Sequence, residues 1–218
     1  NNNMEKKIPY LDRNEYNYGP CPAVGEVLKN FDPNNLCFYT RIYDEGKKSI
    51  FSDYLSSIYN IPEKQIILGY GGEDILKQVV HCFLSGKEKQ KTLLIPKFSW
   101  YYKSIADEVE GRSVLYPLYE EGNTFKYDFE AMKEAIRKEN PEMVLIASPN
   151  NPTGNSLTSE ELDQILSFIS PETVVVIDEA YASFANKDTS YIKPLLEKFP
   201  NLLIVRTLSK FYGLPGLR

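Results

Sequence analysis

Met143-Val144-Leu145-Ile146-Ala147-Ser148-Pro149-Asn150-Asn151-Pro152-Thr153-Gly154 changes character halfway along, from five apolar residues to a run of turn formers. Five apolar residues are too few for a helix, and turn residues follow them at once, so the first half reads as a strand buried on both faces. The same plan returns twice. Thr173–Ile177 runs into Asp178-Glu179-Ala180-Tyr181, and Leu202–Thr207 runs into Leu208-Ser209-Lys210. Further short runs at Gln65–Leu68, Thr92–Ile95 and Ser113–Leu118 read as strands. Between them, helical spacing with polar faces marks Ile50–Tyr59, Glu73–Leu84, Trp100–Val109, Phe129–Lys138, Glu160–Phe168 and Ile192–Lys198. Thr158 with Glu161 fits a capping box, and Asp128 fits an N-cap. Apolar strands alternating with amphipathic helices imply an α/β three-layer sandwich around a mostly parallel sheet.

In such a sheet, ligands bind beyond the carboxyl ends of the strands. There the sequence puts a carboxamide (Asn151), a carboxylate (Asp178) and an amine (Lys210). A glycine turn, Gly69-Tyr70-Gly71-Gly72, also feeds the helix near Glu73. Free N–H groups and the positive dipole end at such a helix start suit a phosphate. Each signal is weak alone. Gly71-Gly72 lacks the Lys-Ser/Thr of a P-loop and the third glycine of a dinucleotide fingerprint. Asn151-Pro152-Thr153-Gly154 would serve as a plain β-turn. Asp178 and Glu179 would serve as solvated strand-end residues, and a single lysine is more often exposed than catalytic. Complementary chemistry at several strand ends is what gives the set weight.

Taken together, Asn150-Asn151-Pro152-Thr153-Gly154, Asp178-Glu179-Ala180-Tyr181 and Thr207-Leu208-Ser209-Lys210 with Arg218 resemble the fold-type I pyridoxal-phosphate aminotransferases. Leu11-Asp12-Arg13-Asn14-Glu15, Gly19-Pro20 and Gly71-Gly72-Glu73-Asp74 are most similar to the histidinol-phosphate aminotransferases among them. The resemblance implies pyridoxal 5′-phosphate as cofactor and Lys210 as the amine that binds it as an imine and shuttles the proton. It implies Asp178 on the pyridine nitrogen, Asn151 and Tyr181 on the phenolic oxygen, and Tyr101 stacked on the ring. Gly72, Glu73, Thr207, Ser209 and Arg218 would cradle the phosphate, with Tyr43 reaching it from the partner subunit of a homodimer. Tyr10, Tyr16 and Tyr18 are candidates for substrate contact. Tyr16-Asn17-Tyr18 and Arg41-Ile42-Tyr43-Asp44 depart from the histidinol-phosphate pattern near the substrate mouth.

The implied reaction is transamination of histidinol phosphate with 2-oxoglutarate to imidazole acetol phosphate and glutamate, a step of histidine biosynthesis. The alternatives are a threonine-phosphate decarboxylase, a C–S lyase-like or an aromatic aminotransferase, and, ranked low, a non-catalytic cofactor-binding sensor domain. Residues 1–40, rich in Asn, Pro and Tyr, are expected to form an extended arm at the substrate mouth and dimer contact. Residues 41–218 are expected to form the large cofactor-binding domain. Members of the resembled family continue well past the position of Arg218, so the chain is expected to be a fragment lacking the small domain and its carboxylate-binding arginine. The strand before Lys210 would then lack a neighbour and expose apolar surface.

The chain has 218 residues, 42% of them hydrophobic, and a net charge of −5, which excludes disordered and collagen-like classes and argues against a nucleic-acid surface. No apolar run is long enough to cross a bilayer and no leader opens the chain, which points to a cytoplasmic protein. Asn1–Asn3 read as a tag remnant. Cys21, Cys37 and Cys82 lack metal-ligand spacing and read as reduced thiols, and no metal is expected. His81 sits mid-helix beside Val79, Val80 and Cys82 and reads as structural. Glu179 is expected to point away from Asp178.

Overall fold

The structure, a computed structural model, describes residues 8–39, 41–86, 88–185 and 188–217. Its sheet is parallel throughout. In chain order the strands are β1 (Thr92–Pro96), β2 (Arg112–Tyr116), β5 (Met143–Ala147), β6 (Val174–Asp178) and β7 (Leu202–Val205), and they lie side by side as β2-β1-β5-β6-β7. The chain leaves β1 toward β2 on one side and resumes with β5 on the other. The direction of winding therefore reverses between β1 and β5, where a crevice opens at the carboxyl ends. Two further strands, β3 (Leu118–Glu121) and β4 (Thr124–Tyr127), make a separate antiparallel hairpin.

Side-chain alternation sorts the strand residues onto two faces. Leu94, Val144, Ile146, Val175 and Ile177 pack on one face, under α5 (Phe129–Glu139), α6 (Ser159–Phe168) and α8 (Ile192–Lys198). Leu93, Ile95, Met143, Leu145, Ala147 and Val176 pack on the other, under α3 (Gly72–Leu84) and α4 (Trp100–Asp107). Both faces are covered, so β1 and β5 are buried along their whole length, which is why they read as unbroken apolar runs. Each fully buried Leu or Ile contributes roughly 1.5–3 kcal/mol.

The two helix caps expected from local residue patterns form. Thr158 accepts from the Glu161 N–H at 3.2 Å while the Glu161 carboxylate accepts from the Thr158 N–H at 2.8 Å, closing the capping box of α6. Asp128 accepts from the Ala131 N–H at 3.0 Å and caps α5. Helix α2 spans Ile50–Tyr59, and the four-residue α7 is Ala182–Ala185.

Three expectations are corrected. Gln65–Leu68 is not a strand: a 3-10 turn at Glu63–Gln65 leads into extended chain with no ladder partner among the described residues, leaving Ile67 69% exposed. The run Ser113–Leu118 is two strands, because Pro117 has no N–H to continue the ladder and the chain turns there into the hairpin. The first forty residues are not wholly extended. They contain α1 (Pro22–Lys29), started by a proline at its first turn, and a 3-10 turn at Pro33–Cys37 capped by Asp32. Strand β7 pairs only with β6 among the described residues, and its Leu203 and Ile204 are half-buried. No helix among the described residues is long and apolar enough to cross a membrane.

Candidate cofactor site

In-register pairing brings the strand ends level. Ala147 lies beside Asp178 and Asp178 beside Val205, and the Ser148 and Glu179 N–H groups extend the ladders by one bond each. Because alternate residues face opposite ways, Asp178 and Glu179 diverge. Asp178 turns to the α4 face, where its Oδ2 accepts from the Tyr102 hydroxyl at 2.7 Å and its Oδ1 from the Ala180 N–H at 2.9 Å. Burial raises its pKa above the usual carboxylate range, and those two donors pull it back.

Glu179 turns to the other side, as expected, and it is no solvated residue. Its Oε1 accepts from the Tyr191 hydroxyl at 2.5 Å, and its Oε2 lies 3.2 Å from Arg206 Nε. Arg206 in turn donates to the Tyr59 hydroxyl at 3.1 Å. Burial raises the Glu179 pKa, while Tyr191 and Arg206 lower it. Sequence reasoning passed over Arg206, although an arginine closing an apolar strand is itself a signal of a buried partner.

A cavity of about 380 Å³ opens beside Asn14, Asn151, Tyr181 and Phe184. It brings together the two expected phenolic-oxygen donors, Asn151 and Tyr181, with a residue from the N-terminal segment. The Asn14 carboxamide donates to the Tyr181 hydroxyl at 3.0 Å. Neighbouring Asn150 is buried. Its Nδ2 donates to Thr153 Oγ1 at 2.6 Å, and its Oδ1 has no hydrogen-bond partner. Lys210 approaches Tyr181, with Nζ 5.8 Å from the centre of its ring, and donates to the Arg13 carbonyl at 2.8 Å.

Helix α3 begins where β7 ends. Gly71 sits at φ 94°, ψ 169°, a conformation open essentially to glycine alone. A Cβ added to Gly72 would lie 3.4 Å from the Thr207 Cβ. The Thr207 and Ser209 hydroxyls are 2.9 Å apart, and the Ser209 N–H donates to Thr207 Oγ1 at 3.2 Å. Gly72, Thr207 and Ser209 thus meet at the N-terminus of α3, with Glu73 next along the helix. Arg218 lies outside the described residues.

Tyr101, on α4, is half-buried. Burial and the nearby Glu73 carboxylate raise its pKa well above that of a free phenol. A second aromatic, Phe98, was not singled out from sequence. It follows β1, is about half exposed, and is held at φ 75°, an unusual conformation for a bulky residue. Tyr43 is 60% exposed on the 3-10 turn Ile42–Glu45. His81 is half-exposed with Nε2 3.0 Å from Glu108, and the three cysteines are free and exposed.

The family described as aminotransferase class I and II matches residues 6–218. A histidinol-phosphate aminotransferase of Bacillus subtilis is 34% identical over 97% of the chain, and one of Caldanaerobacter subterraneus is 29% identical over 98%. The chain spans 56% and 58% of these relatives' lengths. Among solved structures, the histidinol-phosphate aminotransferase of Sinorhizobium meliloti, in complex with pyridoxal-5′-phosphate, superposes with a TM-score of 0.79. That likeness covers 94% of this chain and 53% of the other, at 24% identity, and bears on the fold alone. With a matching profile along almost its whole length, the chain belongs to the class I and II aminotransferase family.

Proposed function

We propose that the protein binds pyridoxal 5′-phosphate at the carboxyl ends of β5, β6 and β7 and transfers an amino group. When bound, this cofactor supplies an electrophilic aldehyde and an electron-accepting ring. The residues present fit it. Lys210 offers the amine, Asp178 a buried carboxylate for the pyridine nitrogen, and Asn151 and Tyr181 donors for the phenolic oxygen. The cradle of Gly72, Glu73, Thr207 and Ser209 takes the phosphate, with Arg218 as its cation. A planar ring needs an aromatic wall, for which Tyr101 and Phe98 both stand at the end of β1. The carrying observation is the cavity that joins Asn151 to Tyr181, with Lys210 5.8 Å from the Tyr181 ring.

Within this arrangement Lys210 is the amine that would move a proton at the substrate Cα. Asp178, kept charged, holds the pyridine nitrogen protonated. The Asn14 bond leaves the Tyr181 hydroxyl proton free to be donated. The substrate pair we propose is histidinol phosphate and 2-oxoglutarate, supported by the relatives' names and by the motifs at Asn14-Glu15 and Gly71-Gly72-Glu73. A cytoplasmic homodimer, with Tyr43 lent to the partner's phosphate site, completes the proposal.

Two measurements test it. The full-length protein should absorb in the visible with pyridoxal phosphate, and Lys210→Ala should abolish the covalent linkage on borohydride reduction. Glutamate should form from histidinol phosphate and 2-oxoglutarate; a coloured protein that forms none would retain the cofactor assignment and remove the substrate.

A further inference from the structure

We propose that Tyr102 is a positioning residue for Asp178, fixing the carboxylate and keeping it charged through a buried phenol–carboxylate hydrogen bond. The inference rests on the cofactor reading above and deepens it, because the fixed carboxylate is the one offered to the ring nitrogen.

Asp178 retains only 9% of its exposure and Tyr102 only 7%. A carboxylate taken out of water favours its neutral form unless charge or donors compensate. Among the described residues, the ionisable groups that face it supply no cation. Tyr102 and Tyr101 face it from α4, Tyr127 from β4, and Glu179 follows it in the chain; each is a phenol or another acid. Arg206 is engaged on the opposite side by Glu179. Compensation therefore falls on two neutral donors, one for each oxygen. The Ala180 N–H holds Oδ1 at 2.9 Å and the Tyr102 O–H holds Oδ2 at 2.7 Å. The backbone donor is fixed by the strand end and is present whatever the side chains are. Tyr102 is the variable one, and its own geometry is rigid: α4 is anchored by Ile105 and Ala106, both fully buried.

The same phenol is far less acidic than usual, because burial and the adjacent Asp178 charge both oppose its ionisation. The proton thus stays on Tyr102 and the charge on Asp178. Tyr101, one residue earlier, has the Glu73 carboxylate as its stronger acidic neighbour and makes no hydrogen bond to Asp178. The competing account is plain packing, in which Tyr102 fills the core and its hydroxyl merely finds an acceptor. The two differ in what happens to the carboxyl when only the hydroxyl oxygen is removed.

The test is a pH titration of the Asp178 carboxyl carbon by NMR in full-length, [4-13C]aspartate-labelled protein without cofactor, the resonance being assigned through Asp178→Asn. In Tyr102→Phe the midpoint should rise by about one to two pH units, the weight of one hydrogen bond to a charged group. With 3-fluorotyrosine at position 102, a more acidic phenol and a better donor, it should fall. In the cofactor-loaded Tyr102→Phe enzyme, the acid limb of kcat/KM should move to higher pH. Its kcat near neutral pH should drop about tenfold, with KM for the amino donor little changed. An unmoved midpoint in both variants, with a visible cofactor band intact, overturns the positioning role alone. A wild-type protein with no visible band overturns the cofactor reading, whatever the midpoints do.

Discussion

Asp178 illustrates how a single residue is placed against the stability of its own fold. Its folded pKa lies above the ordinary carboxylate value of about 3.9 because it is buried. The stabilising share of that shift is therefore present below the ordinary value and is lost as pH rises through the folded one. At neutral pH the charged form is held at a cost. Asp178→Asn should accordingly raise the Tm of the cofactor-free protein near pH 7, by about 2–4 °C for each kcal/mol relieved, and the gain should vanish in acid. A thermal melt series across pH reads this directly, and a Tm for Asp178→Asn below wild type at pH 7 would contradict it. The residue type was legible in the sequence, since an acidic pair follows an apolar strand. Its partner was not. Tyr102 sits among sixteen tyrosines, and no spacing rule connects positions 102 and 178. Asn14 and Tyr181 present the same difficulty, 167 residues apart.

At the scale of the element, the turn into α3 carries the proposed anion cradle. Gly71 occupies backbone space that any Cβ strains, so Gly71→Ala should cost about 1–3 kcal/mol and weaken cofactor retention together. Urea unfolding and a titration with pyridoxal phosphate measure the two effects. Thr158→Ala, which opens the capping box of α6 far from the cradle, should cost about 1 kcal/mol and leave retention unchanged. Helices with caps and strands with two buried faces were readable because their signals are local. The hairpin β3–β4 was missed, although Gly122-Asn123, between Leu118–Glu121 and Thr124–Tyr127, is a recognised two-residue turn signal. Gln65–Leu68 was misread for the opposite reason. Its composition suits a strand, but a strand also needs a neighbour, and none pairs with it among the described residues.

Across the whole molecule, the link between strand ends and surrounding helices runs through Glu179 and Arg206. Together with Tyr59 from α2 and Tyr191 ahead of α8, they tie α2 and the start of α8 to the exits of β6 and β7. Breaking one side of such a buried pair leaves an uncompensated charge, which costs about 3–5 kcal/mol, whereas removing both charges costs much less. Arg206→Met should therefore destabilise strongly, and Arg206→Met with Glu179→Gln should recover a large part of the loss. Denaturation midpoints of the two variants decide this, and equal midpoints would show that the pair carries no coupling.

The sequence by itself determined the layered α/β plan and the strand end at 147, while it put the next two ends at 177 and 207, where the structure has them at 178 and 205. It could do so because burial on both faces, turn chemistry and helix caps are written in consecutive residues. Only the tertiary structure decided which groups touch: Tyr102 on Asp178, Asn14 on Tyr181, Arg206 on Glu179, and Thr207 against Gly72. Those pairings follow from strand order, register and the direction in which each helix presents its side chains. These are properties of the folded packing as a whole, and no stretch of neighbouring residues encodes them.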